Sequence, residues 1–280
     1  KTISISAGGF ISGDLFFRNF TQIGATAQTL IATGTTNFTN YDSDWGGDAV
    51  FSAPRMSTRG TTYNGTAVLT KTGAIDDQSQ GGNLFVGDAI INNNGTDYVL
   101  MGNGNPDVFN ANLTFNNAST DNIYLAYNSA GNSIAGNLEI NCTGTGSNLN
   151  YFSTINGTTL SVGGNLTVNN NGVGVNSNMY LGSSGNLTIN GNLTINNTAS
   201  ASNANIYVGD GTTSINSIGG ITSVINSGTG SVSRVYLGEN GDVTFNGEVI
   251  IVNSSSANNS QVYLNNNGSS NNSYLENITI

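Results

Sequence analysis

The chain is expected to be all-β, a parallel β-helix with about 27–28 residues and three short strands per coil, because three residue series run along it in step. The first is the segment Gly191-Asn192-Leu193-Thr194-Ile195, which recurs as Gly164-Asn165-Leu166-Thr167-Val168 and Gly136-Asn137-Leu138-Glu139-Ile140, with a looser copy at Gly220-Ile221-Thr222. Leu113, Val249 and Ile278 extend it, so that positions 113, 138, 166, 193, 221, 249 and 278 advance by 25 to 29 residues. The second series is Tyr124, Tyr151, Tyr180, Tyr207, Tyr236 and Tyr263, with steps of 27 or 29. A weaker third runs through Leu160, Leu187, Ile215 and Val243.

Each series marks one strand of a coil. Alternation within Ile206-Tyr207-Val208 and Val235-Tyr236-Leu237 puts the flanking aliphatics on one side and the tyrosine on the other, the period of a strand. Between the strands lie Gly, Asn and Ser, residues that turn the chain through positive φ at little steric cost. One such unit cannot bury its apolar side alone, whereas stacked units share a continuous core at about 4.8 Å per coil. Parallel crossovers favour the right hand.

Residues 111–280 are read as regular coils, about six from Leu113 to Ile278. Residues 1–110 fit less well and are expected to be a less regular solenoid or a cap. There Leu84-Phe85-Val86 and Tyr98-Val99-Leu100 resemble the Tyr strand. The last segment, Glu276-Asn277-Ile278-Thr279-Ile280, copies the first series, so the coils are expected to continue into further repeats of the same protein.

Composition narrows the function. Of 280 residues only 8% are charged, there is no His, and the formal net charge is −10. Six basic residues, Lys1, Arg18, Arg55, Arg59, Lys71 and Arg234, are too few and too scattered to neutralise phosphates, so no nucleic-acid partner is expected. No run of about 20 apolar residues offers a membrane span. Cys142 is alone, leaving no disulfide within the chain and no zinc set; a small apolar filler is its expected role. The chain begins at Lys1 with no leader-like segment, as a mature product or an excised piece would.

The candidate binding site is the strip Tyr124, Tyr151, Tyr180, Tyr207, Tyr236 and Tyr263, a ladder of aromatic side chains on one outer face. Such a strip is able to stack on sugar rings or to stabilise neighbouring coils. Tyr151 departs from the rule, since Asn150 precedes it where the others follow an aliphatic residue. A column of Thr114, Glu139, Thr167, Thr194 and Thr222 is expected to face outward. Asn141, Asn169 and Asn196, each following a Leu-x-Ile/Val strand, suggest internal amide ladders.

One acidic cluster, Asp42, Asp44 and Asp48 with Gly46 and Gly47, resembles a calcium loop but lacks a closing Glu. No other cofactor is indicated. For catalysis the best pair is Asp210 and Glu239, which follow the Tyr strand in adjacent coils. Without a His or a basic partner they are expected to be charged corners facing water, and the chain is not expected to be an enzyme.

Strings such as Gly-Asn-Leu-Thr-Ile-Asn, Asn-Ile-Tyr-Leu-Ala-Tyr-Asn-Ser-Ala-Gly-Asn at 122–132 and Phe51-Ser52-Ala53-Pro54-Arg55 resemble the very large repetitive surface proteins of gliding and marine Bacteroidetes. The resemblance covers most of the chain through motifs of low complexity. It implies export across the outer membrane, an extracellular location at the cell surface and a structural or adhesive role in a filament. A glycan-binding module is the alternative, and a carbohydrate-active β-helix enzyme a more distant one.

Overall fold

A computed structural model describes residues 3–5, 8–153, 157–266 and 270–280. Among them there is no helix, and every strand pairing is parallel, in sheets of twelve, ten, seven and three strands. The fold is a β-solenoid. One coil runs through Leu166–Asn170 on the first face, Asn176–Leu181 on the second and Asn186–Ile189 on the third, and the next coil begins at Leu193–Asn197. Each strand pairs with its counterpart one coil away, as Leu166 with Leu193 and Tyr180 with Tyr207.

The first face is one uninterrupted twelve-stranded sheet from Ser4–Ile5 to Ile278–Thr279, so the irregular early region belongs to the same stack. Its coils are shorter: 18 residues separate the paired Ala49 and Ala67, 22 separate Ala67 and Ala89, and 24 separate Ala89 and Leu113. The second face changes hands on the way. Three strands, Asp14–Arg18, Asn37–Tyr41 and Arg55–Arg59, form it first, and the seven-stranded sheet carrying the tyrosines takes over from Val99–Leu100.

The interior is a set of columns, each rung one residue per coil. On the first face Leu113, Leu138, Leu166 and Leu193 form one, and Phe115, Ile140, Val168 and Ile195 the next, all buried. Each fully buried aliphatic side chain contributes roughly 1.5–3 kcal/mol of transfer free energy. Two rungs correct the expected register. Leu193 pairs with Thr222, not Ile221, so Thr222 is buried and its place in the outward column goes to Ser223. On the third face Leu187 stands below Asn216, not Ile215, which is 66% exposed. Asn216 belongs inside because its Oδ1 accepts the Leu187 N–H of the preceding coil at 2.9 Å. Asp107, accepting from Asn83 N, and Asn272, accepting from Val243 N, serve the same strand entry elsewhere. A backbone donor there has no carbonyl to meet, and a side-chain oxygen satisfies it.

Leu84-Phe85-Val86 also lies elsewhere than expected. Phe85 points into the core of the third face, stacked between Tyr63 at 4.8 Å and Phe109 at 4.5 Å. In the Tyr column the earliest rung is Leu100, paired with Tyr124, while Tyr98 packs edge-on against Tyr124 from the side.

After each Tyr-face strand the chain turns through the left-handed region. Gly182, Gly209 and Gly238 occupy this corner in three coils, and Ala126, Ser153 and Asn265 hold it at φ of 54°, 60° and 61° in others. Glycine is free of the Cβ clash that L-residues meet there.

Candidate functional site

The structure brings all six predicted tyrosines into one column. Their rings lie 5.5, 4.6, 4.8, 4.7 and 4.7 Å apart from Tyr124 to Tyr263, with planes within 11° of parallel. Register explains the spacing, since each tyrosine pairs directly with the next across the sheet. The consequence for binding is specific. Ring faces are turned to one another, so inner rungs present edges and hydroxyl groups, not open faces, to solvent, except Tyr236, which is buried at 6% exposure.

Polar groups flank the column. Asn122 Nδ2 donates to the Tyr124 hydroxyl at 3.0 Å, Arg234 Nη1 donates to that of Tyr236 at 3.2 Å, and the Tyr263 hydroxyl donates to Gln261 Oε1. Burial against neighbouring rings raises the phenol of Tyr180 to about 12 and moves Tyr124, Tyr151, Tyr207 and Tyr236 the same way. The Asp210 charge adds to the rise at Tyr151, Tyr180 and Tyr207. The hydroxyls of Tyr124, Tyr151, Tyr180, Tyr207 and Tyr236 are therefore held neutral, able to donate and accept.

Asp210 and Glu239 lie beside this row as predicted, but each is held by an asparagine of the following coil. Asn240 Nδ2 donates to Asp210 Oδ1 at 3.2 Å, and Asn266 Nδ2 donates to Glu239 Oε1 at 3.1 Å. Partial burial raises both carboxyls, and Asp210 further raises Glu239. Asp42, Asp44 and Asp48 are not assembled around a common point. Asp42 turns a left-handed corner at φ 53° and pairs with Arg59 at 2.9 Å; Asp44 accepts from Asn64 Nδ2 at 2.6 Å; Asp48 accepts from Thr66 N at 2.8 Å. Among the described residues no group of three His, Cys, Asp or Glu side chains is placed to hold a metal ion.

Two amide ladders run along the first face, on opposite sides of it. Asn141, Asn169 and Asn196, expected inside, are half-buried on the outer side, where each donates to the asparagine of the preceding coil at 2.8–3.0 Å, beginning at Asn92 and Asn116. The internal ladder uses the next residue. Asn170, Asn197, Asn226 and Asn253 are linked at 3.0 Å, and here each donates to the following coil. The second amide hydrogen of Asn170, Asn197 and Asn226 bonds a carbonyl seven residues on, tying the first face to the Tyr face across the corner.

Cys142 interrupts that internal ladder, and Asn150 repairs it. Asn117 Nδ2 donates to Asn150 Oδ1 at 2.8 Å, and Asn150 Nδ2 lies 3.0 Å from Cys142 Sγ. The irregular residue before Tyr151 thus supplies, from the opposite wall, the amide that position 142 lacks. Sequence reasoning also missed the buried charges. Asp77 and Asp107 are fully enclosed, and burial raises each to about 6. Lys71 occupies a rung of the internal column, paired with Asn93. Its only signal in the sequence was a lysine at a position where later coils carry asparagine.

No protein-family model matches the chain, and neither a curated protein nor a solved structure matches it. No helix among the described residues is long and apolar enough to cross a membrane.

Proposed function

We propose that this chain is a structural or adhesive segment of a long extracellular fibre at a cell surface, and that it is not an enzyme. The observation that carries the reading is the continuity of the stack. Twelve strands of the first face follow one another without an inserted domain, giving a rod about 50 Å long at about 4.8 Å per coil. Residues that repeat do so in positions that hold coils together: stacked phenols, amide ladders and corner carbonyl acceptors. Asp210 and Glu239, the pair best placed for acid–base chemistry, are bound by asparagines, and among the described residues neither forms an ion pair. The resemblance of the repeats to large surface proteins of gliding and marine Bacteroidetes supports the location.

The test is surface labelling of the source cells. Antibody raised to residues 111–280 should decorate extended structures on intact cells, and external protease should remove the signal. Labelling only after lysis would overturn the reading. Hydroxyls, amides and carboxylates along the Tyr edge favour glycan contact as a second reading. That contact would run through hydrogen bonds, so Tyr207→Phe and Tyr180→Phe should abolish retention on a glycan array while leaving the fold intact.

A further inference from the structure

Lys71 is the only Lys or Arg among the described residues that is fully enclosed, at 1% exposure. No carboxylate lies within ion-pair distance of it; the ion pair found among the described residues is Arg59 with Asp42. Its Nζ donates instead to two carbonyls, Gly73 O at 2.8 Å and Asp97 O at 3.0 Å, leaving one of its three potential donors unused. The paired residue one coil above, Asn93, converges on the same atom, for its Nδ2 also donates to Asp97 O at 3.0 Å. The Oδ1 of Asn93 is buried and accepts from nothing. Its counterparts differ: Oδ1 of Asn226 accepts from Asn197 Nδ2 and from Ser233 Oγ.

An enclosed amine beside an amide whose enclosed oxygen has no donor is an unusual juxtaposition, since buried polar groups are nearly always paired. Burial also favours the neutral, nucleophilic form of Lys71, against the opposing charges of Asp97, Asp77, Asp121 and Asp76. Asp77 is the one carboxylate lining the cavity beside Lys71, a space of about 20 Å³ otherwise walled largely by Met56, Leu69, Ile91 and Met101.

We propose that Lys71 and Asn93 form an intramolecular isopeptide bond that joins two adjacent coils covalently. The neutral Nζ attacks Cγ of Asn93, the new C–N bond forms, the Cγ–Nδ2 bond breaks, and the side-chain nitrogen leaves as ammonia. Asp77 is the carboxylate that shares the cavity with Lys71, a space large enough for one water, through which it can take the Nζ proton and return it to the departing nitrogen. No oxidant, reductant or co-reactant enters, and register supplies the proximity that makes amide aminolysis feasible. The link falls where alanine rungs of the internal column give way to asparagine, between Ala53 and Asn117.

Intact mass spectrometry of the purified, fully unfolded chain tests this. The expected mass is lower than the sequence mass by one ammonia, trypsin fails to cut after Lys71, and digestion yields a branched peptide joining residues 71 and 93. Lys71→Met should restore the full mass. If that variant fails to fold, Asn93→Asp serves instead, for it should lose one water and give the same branched product. A wild-type chain that keeps its full mass after prolonged incubation overturns the proposal. So does an ammonia deficit with normal cleavage after Lys71, which would mark a cyclised asparagine instead.

Discussion

The early coils and the late coils share one hydrogen-bonded frame and fill it in opposite ways. From residue 28 to about 110 most of the aromatics are inside: Trp45 touches Phe20 and Phe51 at 4.8 Å, and Trp45, Tyr63, Phe85 and Phe109 form a buried column. The facing rungs of the first face are the small Ala49, Ala67 and Ala89. From Leu113 to Leu193 those rungs are leucine, the aromatic column becomes Ile134, Val162, Ile189 and Ile218, and the stacked rings lie on the outer face as tyrosines, until rings return to the inner column at Phe245 and Tyr274. Volume is exchanged between facing walls while the register is kept. What must repeat is the backbone ladder and its side-chain acceptors; the contents need only fill the space.

The sharpest way to break this comparison is to remove one ring from each region. Phe85→Ala empties a fully enclosed site between two rings and should cost about 3–5 kcal/mol in urea unfolding. Tyr207→Ala removes a half-buried ring from the outer ladder and should cost about 1–2 kcal/mol, mostly its stacking on both sides. Equal losses would show that the outer ladder is as much a core as the inner one.

The early region should also answer to pH. Asp77 and Asp107 bind their protons more tightly folded than unfolded, so they stabilise the fold most below about pH 4. That contribution is lost as pH rises through about 6, by roughly 2–3 kcal/mol per group at most. Thermal unfolding should therefore occur at higher temperature at pH 4.5 than at pH 7.5. Replacing Asp107 with Asn should flatten the dependence, and an unchanged slope would assign it to other groups.

A smaller effect probes the repair in the late region. Cys142→Asn and Asn150→Val should each destabilise alone, the first by crowding an occupied site and the second by removing the acceptor of one Asn117 amide hydrogen and of Ile123 N–H. Together they should recreate the regular rung, so the double variant is expected to lose less than the sum, with a coupling of about 1–2 kcal/mol. Ala126→Gly is the mildest change. It relieves a left-handed corner and should stabilise by about 1 kcal/mol in the same unfolding assay.

Most of the solenoid was legible because leucine and tyrosine recur where the backbone repeats. Legibility failed wherever a polar residue took a core rung. Asn216 and Thr222 are each adjacent to an exposed isoleucine, and hydrophobicity assigns the rung to Ile215 or Ile221. Only the ladder register, which follows backbone pairing, moves it by one residue. The internal amide ladder was expected one residue too early for a related reason. Asn169-Asn170 and Asn196-Asn197 are consecutive identical residues, and identity does not say which one faces in. The Tyr column was placed correctly, but the orientation of its rings depends on side-chain torsions that spacing does not encode. The same holds for Lys71 and Asp77, whose meeting depends on corner geometry in coils of unequal length.

The opposed directions of the two amide ladders have an electrostatic consequence. A chain of aligned amides is a row of dipoles, and a single ladder lengthened coil by coil would build up a growing charge separation between the ends of the rod, as peptide dipoles do along a helix. Here the outer row donates toward the chain start and the inner row toward its end, so their moments oppose. A stack built this way can be lengthened with less charge separation between its ends than a single ladder would give.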